Sequence, residues 1–469
     1  MYRRQHVYSK IVLDSHICLP RDEVSDVESL KRAMTAKRKY EGAPIPLYKV
    51  DEHGVWFGVP RYAKNMDPDN VRIPYTELVD LRAMGHEIKF KTTVGFRPGQ
   101  EKVLAEFKRL YEHGKTGFIL EAVPGFGKTI CCLKMLEIIR VSTLVVVPRS
   151  NLVHQWIDRI RRHTNLPKSK IGYVEGDNVS WRGKDIVVAL VHSLSAGSQK
   201  AIRREFVKSF GCVVFDEVDR SVPPTTFAPV VQMFPAKFRI GASATLKRQD
   251  GLERVFQEHI GQCRLRGKDV NRMKPIVIIH NFPSSSGHVY QGSKKLNRRG
   301  MLLSKVAFNP ARNMLIARYV KLIYNSGRRV LVLSDRILQL VILRKMLTKV
   351  HKIPLEDSGF FVRTLKFEDG RTRNVSKQER ERVASTCNVI LGSYGLFSIG
   401  SDIPNLAGLV YATPQAQIQQ AKGRIERVCE GKKQPVIVDI VDTAYKDAMR
   451  WASARKRLYR MEGLKVRYR

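Results

Sequence analysis

Cysteine is scarce in this chain, and Cys18, Cys131, Cys132, Cys212, Cys263, Cys387 and Cys429 form neither a C-x2-C motif nor a ligand-like cluster. That pattern disfavours a disulfide framework, a zinc site and an iron–sulfur cluster, and buried thiols are expected instead. No apolar run is long enough to span a bilayer. The basic start Met1-Tyr-Arg-Arg-Gln-His6 is not followed by an apolar signal core. A soluble, intracellular protein with no membrane partner is therefore expected. Internal repeats and low-complexity tracts are also absent.

Acids are the other shortage. Against 83 Lys+Arg there are 44 Asp+Glu, a formal net charge of +39. An imbalance of this size implies a polyanionic partner. Its distribution is uneven: residues 1–90 carry only +2, residues 443–469 carry +7, and residues 91–442 carry the remaining +30.

A length of 469 residues exceeds one ordinary core, so two or three domains are expected. From 91 to 262 helix-like and strand-like segments alternate, as in a parallel α/β sheet. Strands are predicted at 118–120, 143–148, 185–191, 212–215 and 238–242, and a helix from Ser150. Residues 263–275 are basic and irregular and read as a linker. A second α/β series runs from 276 to 442, with strands at 276–279, 329–334, 388–391, 408–412 and 435–439 and a helix at 311–325. Residues 360–375 read as a hairpin through Asp369-Gly370. The proline-punctuated residues 1–90 suggest a small accessory domain of strands and loops. The tail, 443–469, reads as a basic helix or arm.

The segment Ala122-Val-Pro124-Gly125-Phe126-Gly127-Lys128-Thr129 lies between a predicted strand and a predicted helix, the context of a phosphate-binding P-loop. Its glycines allow backbone N–H groups to approach a polyphosphate at a helix N-terminus. Lys128 would reach the β- and γ-phosphates, and the Thr129 hydroxyl would ligate Mg²⁺. Ala122 stands where the pattern has its first glycine. ATP and Mg²⁺ are the implied cofactors.

Val213-Val-Phe-Asp216-Glu217-Val218-Asp219 places acids at the C-terminal end of an apolar strand, the edge where parallel sheets bind ligands. Asp216 is the candidate second ligand to Mg²⁺, and Glu217 the candidate for orienting or deprotonating the attacking water. Ser243 and Thr245, after the next strand, have hydroxyls suited to coupling the acids to γ-phosphate loss. Gln420-Ala-Lys-Gly-Arg424-Ile-Glu-Arg427 offers two guanidiniums at i, i+3, on one helix face. Arg424 and Arg427 fit arginine fingers, which would require the two α/β halves to close.

In this order and spacing, the segments from about 95 to 442 resemble the motifs of the superfamily 2 helicases. The resemblance implies two RecA-like parallel-sheet lobes in tandem, an α/β architecture, with an N-terminal α+β accessory domain and a basic C-terminal tail. Arg97 and Gln100 resemble the adenine-recognition segment, with Gln100 reading the base edge. Gly400, Asp402 and Gln420 would join the P-loop in holding nucleotide. Pro148, Arg149, His192, Ser193, Ser393, Tyr394 and Ser398 match strand-contacting segments. Arg248-Gln-Asp250 resembles the Arg-Glu-Asp element of XPB without its middle acid, and Arg248 joins the DNA-binding set. Within the superfamily the chain is most similar to the branch holding XPB, UvsW and RecG, particularly phage and large-virus members.

The resemblance implies an ATP-driven DNA helicase or duplex translocase remodelling branched DNA, bound mainly through phosphates. Replication, recombination or transcription proteins would be its partners, in the host cytoplasm if the source is a phage. A transcript-releasing translocase and a non-hydrolysing nucleotide-dependent clamp are the alternatives. Residues 1–90 either recognise a duplex arm or pack against the motor, and the tail either clamps duplex DNA or is a solvated helix.

Overall fold

The computed structural model describes residues 7–39, 43–51, 53–63, 74–195, 204–218, 224–246, 248, 250–267, 272–283, 298–397, 403, 405–416 and 418–469. The chain separates into two compact units, Met1–Val270 and Asn271–Arg469.

The first unit holds two sheets. Its larger, eight-stranded sheet runs Asn178–Ser180, Ile171–Glu175, Ile186–Leu190, Thr143–Val147, Cys212–Asp216, Phe238–Ser243, Gly117–Ala122, Cys263–Gly267 across its width. Every neighbouring pair is parallel except the hairpin of the first two. Strands covered on both faces need apolar residues at every position, and Thr143–Val147 is buried throughout. The helices Lys128–Ile139 and Ser150–His163 pack into one of its cores through Leu133, Leu136, Val153 and Trp156.

The last strand of this sheet corrects the expected linker at 263–275. Cys263–Gly267 pairs in parallel with Gly117–Ala122, with Leu265 buried and Arg264 and Arg266 exposed. An edge strand with alternating outward arginines has no continuous apolar run, so it resembles basic coil in sequence.

Residues 8–80 build a five-stranded sheet from Lys49–Val50, Trp56–Val59, Ile17–Pro20, Tyr8–Leu13 and Tyr75–Asp80, in that order across the sheet. Its own core includes Ile11, Leu13, Ile17, Leu19 and Phe57. Two fully buried arginines join it to the larger sheet. Arg61 donates to the carbonyls of Pro235 (2.7 Å) and Ala236 (2.7 Å) and to Asp14 O at 2.6 Å. Arg239 donates to His259 O at 2.5 Å and to Ser15 O at 3.0 Å. A buried guanidinium is tolerable only when such acceptors replace water. His16 and His259 meet edge to face beside them, 5.3 Å between ring centroids. Burial, and then the nearby Arg239, Lys49 and Arg61, push the His16 imidazole down to about 3.

The second unit is a seven-stranded parallel sheet ordered Ser358–Phe361, Val389–Ser393, Arg329–Ser334, Leu406–Tyr411, Val436–Asp442, Ile276–Phe282, Val466–Tyr468. The hairpin through Asp369-Gly370 is shorter than expected, pairing Thr364–Lys366 with Thr372–Asn374, because 358–361 joins the main sheet.

The tail is also part of this sheet: the basic helix expected in 443–469 is present, but it is docked rather than solvated. Helix Lys446–Met461 buries Ala448, Ala452, Arg455 and Tyr459, and Val466–Tyr468 becomes an edge strand beside Ile276–Phe282. Arg455 grips both carboxylate oxygens of buried Asp439, at 2.9 and 2.8 Å, and Tyr459 donates to the same group at 3.0 Å. The arginine in the buried stripe, whose pKa burial lowers but Asp439 more than restores, to above the usual value, makes the helix look solvated in sequence. Among the described residues, no helix is long and apolar enough to cross a membrane.

Candidate nucleotide and nucleic-acid site

The loop between Gly117–Ala122 and helix Lys128–Ile139 turns through Gly125 and Gly127, at φ +91° and +92°. Both angles lie where a side chain is strained, so the glycines are required. Helix Gln100–Glu112 supports the loop from beneath. Gln100, 1% exposed, donates from Nε2 to Phe126 O at 2.7 Å, and its Oε1 accepts from Arg97 N at 2.9 Å. Arg97 Nη1 reaches Gly125 O at 3.4 Å. Both residues therefore act on the loop, and the carboxamide expected to read a base is engaged by the chain itself. Lys128 Nζ donates to Ala122 O at 3.1 Å. Pro124 lies in the same turn, and Phe126 beyond Gly125 is buried.

Strand Cys212–Asp216 lies one strand away, separated from the P-loop strand by Phe238–Ser243. All three are parallel, so the loop and the acids emerge at the same edge. Asp216 Oδ1 accepts from Glu217 N at 3.0 Å, and Oδ2 accepts from the Trp156 indole at 2.8 Å. Glu217 sits at φ +54°, a left-handed conformation uncommon for a side-chain-bearing residue and frequent at functional sites. Val218 N donates to Ala242 O at 3.3 Å, tying the acidic turn to the neighbouring strand. There Ser243 is fully buried and its Oγ accepts from Thr245 N at 3.3 Å. Asp219 lies outside the described residues.

Thr129 Oγ1 and the Asp216 carboxylate form a hard-oxygen donor pair at one sheet edge. Magnesium is commonly held by one or two protein oxygens plus phosphates and water, so this pair fits it. Thr129 Oγ1 also accepts from Arg159 Nη1 at 2.6 Å.

The expected strand-contacting residues divide. Arg149 is exposed at the N-terminus of helix Ser150–His163, and His192 is exposed on a short turn of helix. Pro148 is buried and lines an apolar depression beside Asp216 and Glu217. Ser193 is 4% exposed and its hydroxyl accepts from Gly176 N at 2.7 Å, so it serves the fold. Arg248 is corrected as well. Its side chain, 9% exposed, is paired with Asp250 at 2.8 Å and directs Nη1 to Val218 O at 3.5 Å, clasping the acidic turn.

In the second unit, Ser393 Oγ accepts from Leu396 N at 3.4 Å. The Tyr394 hydroxyl donates to Thr413 O at 2.8 Å, and burial raises its pKa well above the usual phenol range. A phenol committed to a buried carbonyl is not a phosphate contact. Ser398, Gly400 and Asp402 lie outside the described residues. Gln420 lies in helix Gln419–Ile425, and its side chain is not among those described. Arg424, 7% exposed, stacks over Phe397 with its guanidinium carbon 4.6 Å from the ring centroid. That helix ends before Arg427, which bridges to Arg272 instead, so the two arginines do not share a helix face.

Four positions that touch the candidate site residues carry no sequence signal. Trp156 and Arg159 reach the donor pair from a distant segment. Lys432 caps the arginine-bearing helix, donating to Ile425 O at 2.7 Å and Arg427 O at 2.6 Å, and burial pushes its ammonium down to about 8. Gly267 packs against the P-loop. A tryptophan at helical spacing reads as core, and a lysine after a helix reads as solvated.

The P-loop, the acid pair and the two parallel sheets are what a helicase requires, and helicases are among the known proteins this chain is similar to. Residues 93–248 match the family described as "Type III restriction enzyme, res subunit". The chain is 27% identical over 416 residues to "Putative ATP-dependent RNA helicase L396" of Acanthamoeba polyphaga mimivirus, covering 86% of this chain and 73% of that protein. It is 26% identical over 408 residues to "Probable helicase D10" of Escherichia phage T5, covering 84% of each. A solved fragment of a "putative HsdR subunit of a type I restriction enzyme" from Vibrio vulnificus shares the fold at TM-score 0.52 and 16% identity, covering 76% of this chain and 66% of that one. These likenesses support a helicase of the superfamily 2 type.

Proposed function

We propose that the chain is an ATP-dependent DNA helicase and double-stranded DNA translocase that remodels branched DNA, in the manner of the XPB and UvsW branch. The single observation that carries the nucleotide chemistry is the shared sheet edge of Thr129 and Asp216, each held by a side chain of helix 150–163. Residues 1–90 serve as the accessory domain and the two parallel sheets as the motor lobes.

In this reading the P-loop backbone and Lys128 bind the phosphates, and Lys128 exchanges the Ala122 carbonyl for them. Thr129 and Asp216 would hold Mg²⁺, which when bound neutralises charge on the phosphates. Glu217, fixed in its left-handed turn, orients the attacking water and takes its proton. Arg424 and Arg427 neutralise charge on the transferring phosphoryl group. Ser243 and Thr245 relay the state of the acids. Arg149 and His192 contact strand phosphates, and the net charge of +39 favours that binding without sequence preference.

The name of the mimivirus relative favours a second reading, in which the translocated strand is RNA. Hydrolysis measured with labelled forks, four-way junctions, R-loops, linear duplex and RNA separates the two. Greatest stimulation and strand rearrangement with branched DNA is expected. Stimulation by RNA alone would overturn the branched-DNA reading and establish the other.

A further inference from the structure

The two oxygen donors assigned to Mg²⁺ come from segments 87 residues apart in sequence, yet one helix holds both. Trp156 and Arg159 stand at i, i+3 on helix Ser150–His163 and so project from one side of it. Their two hydrogen bonds differ in kind. The Trp156 indole is donor-only and 1% exposed, with its N–H on Asp216 Oδ2 at 2.8 Å. With Glu217 N on Oδ1 at 3.0 Å, both carboxylate oxygens are oriented, and each keeps a lone pair for a cation. Arg159 places a permanent positive charge 2.6 Å from Thr129 Oγ1, the oxygen that would ligate the metal. A guanidinium there supports the free hydroxyl but repels a divalent ion at close range.

We propose that Trp156 and Arg159 are positioning residues with opposite effects on the magnesium pocket: Trp156 fixes Asp216 for the metal, and Arg159 occupies Thr129 until metal–nucleotide entry displaces it. The inference rests on the nucleotide site described above. It adds that this chain sets its own metal requirement through side chains outside the P-loop and the acid pair.

The test is the binding of a fluorescent non-hydrolysable ATP analogue to the full chain, followed by anisotropy across a range of MgCl₂ concentrations. Trp156→Phe keeps the ring and loses the N–H. Its half-saturating Mg²⁺ concentration should rise about 10- to 100-fold, the usual effect of removing an outer-shell partner of a metal ligand. Arg159→Met keeps much of the stem and loses the charge, and its half-saturating concentration should shift below the wild-type value. Thermal unfolding without nucleotide checks that each variant is folded. A folded Trp156→Phe with wild-type magnesium dependence, or an Arg159→Met that needs more magnesium, overturns the proposal. Lys128→Ala in the same assay isolates the underlying reading. If it binds the analogue like wild type, the nucleotide site itself is misassigned. If it loses binding while Trp156→Phe and Arg159→Met both match wild type, only the present inference fails.

Discussion

Gly267 lies in register with Ala122, and a methyl built on it would sit 2.7 Å from Ala122 Cβ and 2.6 Å from the Phe126 ring. The P-loop of this chain has a Cβ at Ala122 where the pattern has glycine, and the neighbouring strand supplies the missing space. Gly267→Ala should therefore crowd the loop, at about 1–3 kcal/mol for overpacking. ATP affinity should fall together with thermal stability. Adding Ala122→Gly should restore part of both, a coupling that a double-mutant cycle reads directly.

Lys128→Ala should abolish hydrolysis and leave DNA binding largely intact, because the lysine ammonium is directed to the P-loop, where it donates to Ala122 O. Arg427→Ala should lower kcat more than it weakens nucleotide binding, as expected for a group acting in the transition state. Steady-state hydrolysis and nucleotide titration of the two variants are the measurements. An equal loss of kcat and affinity in Arg427→Ala contradicts the finger assignment.

Arg149 and Arg248 should separate in their salt response. Exposed Arg149 is assigned a phosphate, so Arg149→Ala should reduce the slope of log K against log salt by about 1. Arg248 is spent on Asp250 and Val218 O, so Arg248→Ala should lower the melting temperature and leave the slope unchanged.

Acid should loosen the first unit. His16 is held down to about 3 from an ordinary value of 6.5, and His259 is held low by the same burial and by His16 itself. Below pH 6.5 the unfolded chain takes up protons that the folded chain refuses, so stability is lost as pH falls. Each site contributes a slope of up to about 1.4 kcal/mol per pH unit. Melting temperatures between pH 7.5 and 5 should fall for wild type and less steeply for His16→Gln.

Breaking the tail's anchor should destabilise the second unit. Arg455→Leu leaves Asp439 buried without its cation, a change that costs about 3–5 kcal/mol in comparable sites. Calorimetry should show a lower-melting second unit, with the unit holding Arg61 and Arg239 unaffected.

The interior strands were legible because burial on both faces forces unbroken apolar runs such as Leu144–Val147. The edge strands Cys263–Gly267 and Val466–Tyr468 were not, since water on one side admits arginine. The tail helix was obscured by Arg455, whose partner Asp439 lies on a different element. In the site, the P-loop was readable because Gly125 and Gly127 answer to backbone angles, which are local. Trp156 with Asp216 and Gly267 with Ala122 are tertiary meetings, and no local pattern announces them. Arg248, Ser193 and Tyr394 were misplaced for the same reason: their polar atoms found partners within the fold.

Arg61 and Arg239 change what the first eighty residues are. A chain begun near residue 91 would strip Pro235 and Ala236 of their donor and Arg239 of its Ser15 acceptor. Removing the front end would therefore leave buried polar groups of the larger sheet without their partners. It keeps its own core yet shares two buried arginine clasps with the first lobe, so the two should unfold together.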